Sequence, residues 1–276
     1  MNAWRITRRC VINRVPGRVI SILPGCVLIT LMAVWPAVQP AHAIPVDDPE
    51  LATLRDGIEH AWNQRDMQAM EAGRQAILAL GSAPESTPSQ HDLAIYLGAY
   101  VRLRQSQLVA DQKDQARNYL ADCITALKGL LENRNDDAEA RALLGSCYGA
   151  SSRYYFLATA WRGLEAGRQI SAAVAEAPDN AWVVFQDGVS DYEKPMMFGG
   201  NKKRAISKLL RAAALFAASR PPGSMQPVWG EAETWLYIGR AQLAVGETKA
   251  AREALQTAMG MAPDSRDIRE TMQALP

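Results

Sequence analysis

Histidine and cysteine are scarce in this chain: 276 residues carry three His and four Cys. None of them stands at a metal-like spacing with a second ligand, so neither a metal site nor a cofactor is expected. Net charge is nearly absent as well. Lys and Arg number 30 against 29 Asp and Glu, which gives no electrostatic case for nucleic acid or for a polybasic membrane surface. Alternating period-two runs are missing, which excludes a β-sheet architecture. The remaining composition, 48% hydrophobic and 21% charged, excludes a disordered tail, a collagen-like chain and a polytopic membrane protein.

A local absence is more informative. No acidic residue precedes Asp47, whereas Arg5, Arg8, Arg9, Arg14 and Arg18 all do. They lead into an apolar run, 19–38, and then Ala41-His42-Ala43. A basic start, an apolar middle and an A-x-A end predict a secretory signal over 1–43, cleaved after Ala43 in Sec-type export to the periplasm or exterior of a bacterial cell. Three alternatives are weaker on sequence grounds. Pro24 and Pro36 interrupt an uncleaved anchor, the apolar stretch continues past Cys26 where a lipoprotein would turn polar, and Arg8-Arg9 is a minimal twin-arginine signal. Loss of the five arginines leaves 25 basic against 29 acidic residues, a net −4.

Cys10 and Cys26 depart with the signal, leaving Cys123 and Cys147. In an oxidising compartment these two can pair; equally, both can be small buried residues at helix contacts.

From Asp48 onward, Ala-rich helical periodicity is punctuated by Gly, Pro and Asn/Asp breaks. The predicted pairs are 49–62 with 66–80, 91–110 with 113–132, 138–155 with 158–175, 180–192 with 201–219, and 230–245 with 248–261, followed by a tail helix after Pro263. Loops are expected at 81–90 and at Pro221-Pro222-Gly223. The run Trp182-Val183-Val184-Phe185 sits inside a helical pattern. A helix pair recurring about every 34 to 45 residues cannot bury its apolar face alone, so neighbours must stack.

Trp235, Ile238, Gly239, Gly246, Ala251, Leu255, Ala258 and Pro263 carry the spacing of one tetratricopeptide repeat, 232–265. The region 44–276 therefore resembles the tetratricopeptide-repeat family, strongly at its end and weakly at its first pair. Gln242 departs from the family's usual aromatic, and upstream pairs contain insertions. The resemblance implies an all-α fold: a right-handed superhelix, or α-solenoid, of four to five degenerate antiparallel helix pairs. Its plan is also similar to the T components of TRAP transporters, exported helix-pair chains around a ligand-sized channel.

Register with the repeat places Asp92, Arg102, Glu139, Ser146, Asp187, Glu233, Tyr237 and Arg240 on the inner face. They do not form the repeated Lys/Asn/Arg clamps that hold a C-terminal carboxylate, and a solvated groove is the plain alternative. The insertion 191–201 resembles a Pro-x-Met-Phe-Gly-Gly elbow of divergent bacterial repeat proteins. Met196, Met197 and Phe198 there either touch a partner or ligand, or tuck in, with Phe198 plugging a gap between helices. The tucked-in arrangement is the expected one. Arg153-Tyr154-Tyr155-Phe156 and Trp161 form an aromatic cluster suited either to a groove or to the core. Gly145-Ser146-Cys147-Tyr148-Gly149 spells a nucleophile elbow but lacks the strand that such an elbow requires.

No catalytic constellation emerges. The chain is expected to be a non-enzymatic, exported scaffold for an unidentified protein or peptide partner in the cell envelope. Nucleic acid and a membrane span after cleavage are not expected, and the oligomeric state stays open. The alternative is a small-molecule-binding accessory component of a transport system, with a lined cavity in place of a groove.

Overall fold

The computed structural model describes residues 49–155, 158–218 and 230–276. The expected export signal at 1–43, Phe156 and the expected Pro221-Pro222-Gly223 loop lie outside the described residues. Among those described there are eleven α-helices and no strand. They are α1 (Pro49–Gln64), α2 (Met67–Gly81), α3 (Pro88–Leu108), α4 (Lys113–Asn133), α5 (Ala138–Ser152), α6 (Thr159–Glu176), α7 (Ala181–Glu193), α8 (Lys202–Ala218), α9 (Gly230–Ala244), α10 (Thr248–Met261) and α11 (Arg266–Gln273). None is long and apolar enough to cross a membrane.

Several of the breaks supply a side-chain cap. Asp66, Asp137 and Asn180 accept the N–H groups of Ala69 (2.9 Å), Ala140 (2.9 Å) and Val183 (3.1 Å). Each such cap contributes about 1 kcal/mol. Thr87 and Gln90 form a reciprocal capping box, with Pro88 as the first helical residue, so α3 begins three residues before the expected position. Conversely, α5 ends at Ser152 instead of 155. Ser151 and Ser152 hydroxyls donate back to the carbonyls of Tyr148 (2.8 Å) and Gly149 (2.7 Å), and the chain turns there.

Each helix packs on the next, and α1–α3, α3–α5, α5–α7 and α7–α9 also touch. Within three successive pairs the crossing depends on one missing side chain. A Cβ at Gly145 would lie 2.6 Å from Ile170 Cγ1 and 3.0 Å from the Ala166 carbonyl oxygen. At Gly188 it would lie 2.8 Å from Leu209, and at Gly239 2.6 Å from Leu255. The helices therefore approach more closely than any side chain at these positions would permit.

Between pairs, aromatic rings supply the bulk. Trp182 lies 6.0 Å from Tyr100 and 5.2 Å from Phe185, which in turn is 6.0 Å from Tyr237. The β-branched run that contains Trp182 is thus a buried helix, α7. Cys123 on α4 and Cys147 on α5 form a disulfide with Cα atoms 6.4 Å apart.

The first and last described helices meet. Arg65, just past α1, donates to Asp267 (2.7 Å) and to Glu270 (2.6 and 2.8 Å) on α11. Gln64 donates to the Asp264 carbonyl at 3.2 Å, and His60 Nδ1 lies 3.1 Å from the Asp264 carboxylate.

Two glycine substitutions should move stability in opposite directions. Gly145→Val forces apart α5 and α6 and should destabilise by about 1–3 kcal/mol. Gly129→Ala, at an exposed α4 position with nothing within 4 Å, should stabilise by about 0.5–1 kcal/mol. Urea denaturation of both variants checks the pair.

Candidate functional site

The odd-numbered helices, together with the first half of α6, surround a cavity of 1240 Å³. That exceeds the usual 300–1,000 Å³ of small-molecule sites, so there is room for a large ligand. Trp62, Tyr100, Leu103, Phe185, Val189 and Tyr237 give it an apolar and aromatic wall. Small residues open it: Gly145, Ser146, Gly149 and Ala150 on α5, and Ala160, Gly163 and Gly167 on α6. The lining carries Arg65, Arg104, Arg153, Arg168, Lys194 and Arg240 against Glu193, Glu233 and Asp267, a cationic excess.

Arg104 is the hub of this site. Its guanidinium is buried, ion-paired with Glu233 of α9, and donates to Tyr100 Oη at 2.8 Å and Gln107 Oε1 at 3.1 Å. It also stacks on Trp62, 4.6 Å from the ring centre, and on Tyr100 at 4.8 Å. One side chain of α3 thereby ties α1 to α9. Nearby, burial pushes the Glu59 carboxyl up to about 7, with the charges of Asp56 and Glu233 adding to the effect. Burial, reinforced by neighbouring carboxylates, also raises the Tyr237 phenol, which stays neutral.

Of the residues singled out from sequence, Tyr154, Phe198, Tyr237 and Arg240 line the cavity, as do Ser146 and Glu233. Tyr154 donates to the Ala110 carbonyl at 3.1 Å, and Arg240 lies 3.3 Å from Asp267. Tyr155 and Trp161 do not line it. Tyr155 sits between the guanidiniums of Arg117 (4.5 Å) and Arg162 (3.8 Å), and Trp161 packs edge-on against Tyr148 at 5.7 Å. Asp187 is held by Lys208 at 2.8 Å, Asp92 by Arg134 at 3.1 Å, and Arg102 by Glu71 at 2.7 Å. Glu139 accepts from Asn180 at 2.7 Å between α5 and the start of α7.

The elbow differs from its expected tucked-in form. Gly199 adopts φ 87°, open to glycine at no steric penalty, and a Cβ at Gly200 would lie 1.8 Å from the Lys194 carbonyl oxygen. Arg204 clamps the turn by donating to both Asp191 oxygens and to the Gly199 carbonyl, each at 2.6 Å. Met196 and Met197 project outward, 86% and 83% exposed, and Phe198 is 59% exposed at the cavity rim. Phe198 plugs no gap between helices, because the clamped turn holds it away from them.

Sequence reasoning did not find Trp62, Arg65, Arg104, Phe185 or Lys194 as site residues. The first helix pair is too degenerate for its register to be read, and a buried arginine inside an apolar helix is the one available signal for Arg104. Among the described residues no group of three or more His, Cys, Asp or Glu is arranged to hold a metal ion. The described lining contains no His, Cys or Met.

The fold is similar to that of the HusA haemophore from Porphyromonas gingivalis. The TM-score is 0.57 with 18% sequence identity, covering 70% of this chain and 92% of that one. At this identity the likeness is one of fold. No protein-family model matches the chain, and no curated protein matches it in sequence.

Removing one partner of the buried pair should be far worse than removing both. Arg104→Met strands the Glu233 carboxylate and should destabilise by about 3–5 kcal/mol, whereas Arg104→Met with Glu233→Leu should recover most of that loss. Chemical denaturation of the two variants measures the difference.

Burial pushes the Glu139 carboxyl up to about 7, against the Asn180 hydrogen bond and with help from Asp137. Its folded pKa lies above the unfolded 4.5, so folding favours the protonated acid. Stability is then lost as pH rises from 4.5 to about 7 and stays lost above. Glu139→Gln should raise stability at pH 8 by about 1–2 kcal/mol, discounted for the water that reaches this half-buried group, with the gain vanishing by pH 4.5. Thermal melts across that range check it.

Proposed function

We propose that this chain is an exported, non-enzymatic binding protein acting in the periplasm or outside the cell. On this reading its helix pairs form a right-handed tetratricopeptide-like superhelix whose ends are drawn together, and the enclosed space takes a small molecule. The bound molecule is large, flat, mostly apolar and carries carboxylates, a description that fits a tetrapyrrole. The observation that carries the proposal is the cavity itself: 1240 Å³, walled by Trp62, Phe185 and Tyr237, with six cationic side chains against three acidic ones. Aromatic faces suit a planar ring system, and guanidinium and ammonium groups suit its acid groups. The fold likeness to a haemophore points to the same class of cargo. The described lining holds no His, Cys or Met, so the proposal rests on the ring system and its acids rather than on a strong iron ligand.

Of the two functions that the sequence suggests, the cavity thus favours small-molecule binding. A second reading, a protein partner in the cell envelope, is carried by a different observation, the outward-facing Met196 and Met197 on a clamped turn. A binding protein that passes its cargo on has use for both surfaces.

Titration with protoporphyrin IX should give a saturable, one-to-one shift of the porphyrin absorption band with a Kd of about 1 µM or tighter. Val189→Trp fills the cavity from a half-exposed position and should weaken that binding about tenfold or more. Absence of a saturable shift with the unaltered protein would sink the small-molecule proposal.

A further inference from the structure

Six cationic side chains reach the cavity, and five of them already have a carboxylate within the protein. Arg65 faces Asp267 and Glu270, Arg104 faces Glu233, Arg153 faces Glu193 at 3.7 Å, Arg168 faces Glu165 at 2.6 Å, and Arg240 faces Asp267. Lys194 is different. Among the described residues its ammonium makes neither a hydrogen bond nor an ion pair. The closest candidates are engaged elsewhere: Asp191 is shared by Arg204 and Lys208, and Asp187 is held by Lys208.

The surroundings keep this ammonium available. Lys194 is half-buried in the cavity wall where α7 gives way to the elbow. Its backbone is fixed on both sides, by its N–H donating to the Ser190 carbonyl at 3.1 Å and by the close approach of Gly200 to its carbonyl oxygen. Across from it stands Gly167 of α6. A Cβ there would lie 3.8 Å from Nζ and would meet no other atom within 4 Å, so the bare glycine leaves the approach to Nζ open. Pro195, Phe198 and the 73%-exposed Leu164 also line the cavity, which places Lys194 beside an apolar rim. A partly desolvated cation without a counter-ion is unfavourable, and a ligand anion would relieve it. Burial lowers the ammonium's pKa, the expected sign for a cation that lacks a close partner.

We infer that Lys194 is the carboxylate anchor of the ligand site, accepting an amphiphile whose flat apolar body lies toward Trp62, Phe185 and Tyr237 and whose acid group remains at the rim. The assignment rests on the small-molecule reading above and adds an orientation to it: the charged edge faces outward and the ring system inward. It also sets a chemical requirement, at least one ionised carboxylate on the ligand.

The test compares protoporphyrin IX, a dicarboxylic acid, with its uncharged dimethyl ester. The unaltered protein should bind the acid about tenfold more tightly than the ester. Lys194→Met should cost about tenfold for the acid, about 1.4 kcal/mol, and less than twofold for the ester. Lys194→Arg should restore acid binding. Gly167→Leu, which leaves Lys194 in place but covers it, should reproduce the acid-selective loss. Equal affinity of the unaltered protein for acid and ester, or an equal loss of both in Lys194→Met, overturns the anchor while leaving the small-molecule reading intact. Failure of the unaltered protein to bind either compound overturns both.

Discussion

The buried pair between Arg104 and Glu233 is the contact on which the arrangement of helices depends. It joins residues 129 apart in sequence, from α3 to α9, at the cavity wall, with Arg104 buried and Glu233 partly buried. Such a pair persists only where the geometry is fully satisfied. Here the guanidinium has Tyr100, Gln107 and Glu233 as acceptors and lies against the Trp62 and Tyr100 rings. Trp62 brings α1 into the same cluster, so the first, second and fifth helix pairs share one charged centre. A second contact joins the ends, from Arg65 to α11. Arg65 adopts φ 55°, a left-handed conformation that costs a non-glycine residue about 1–2 kcal/mol, yet glycine there would forfeit the guanidinium that grips Asp267 and Glu270.

The packing also needs close approach at some helix contacts and bulk at others. The crossings at Gly145, Gly188 and Gly239 bring each helix onto its partner, while Trp182, Phe185 and Tyr237 hold neighbouring pairs apart. Small residues on α5 and α6 then leave space instead of filling it, because those faces look inward at a volume that no side chain occupies.

The helix pairs were legible in the sequence because each is specified locally. Caps at Asp66, Asp137 and Asn180 and the small crossing residues act within one pair, so a periodic pattern records them. Closure was not legible. Arg65 and Asp267, or Arg104 and Glu233, meet across many intervening residues, which no local spacing encodes. The same distinction explains the site residues. Tyr237 and Arg240, which the sequence places on one face of α9, both line the cavity. Asp187 and Glu139 lie outside the lining, held by Lys208 and Asn180. Tyr155 and Trp161 lie just after the early end of α5, where two serine hydroxyls redirect the chain.

Closure bears directly on what such an array can hold. An extended peptide lies along a groove that is open at both ends, so that its chain enters at one and leaves at the other. Here the route out past the first pair is crossed by Arg65 and α11, and the middle is crossed by the Arg104–Glu233 pair. A strand-like ligand of more than a few residues would have to break one of these, and the buried pair is the more expensive. A compact planar molecule entering beside the elbow and α6 meets neither obstacle. These contacts are therefore compatible with the proposed small-molecule site and weigh against an extended peptide.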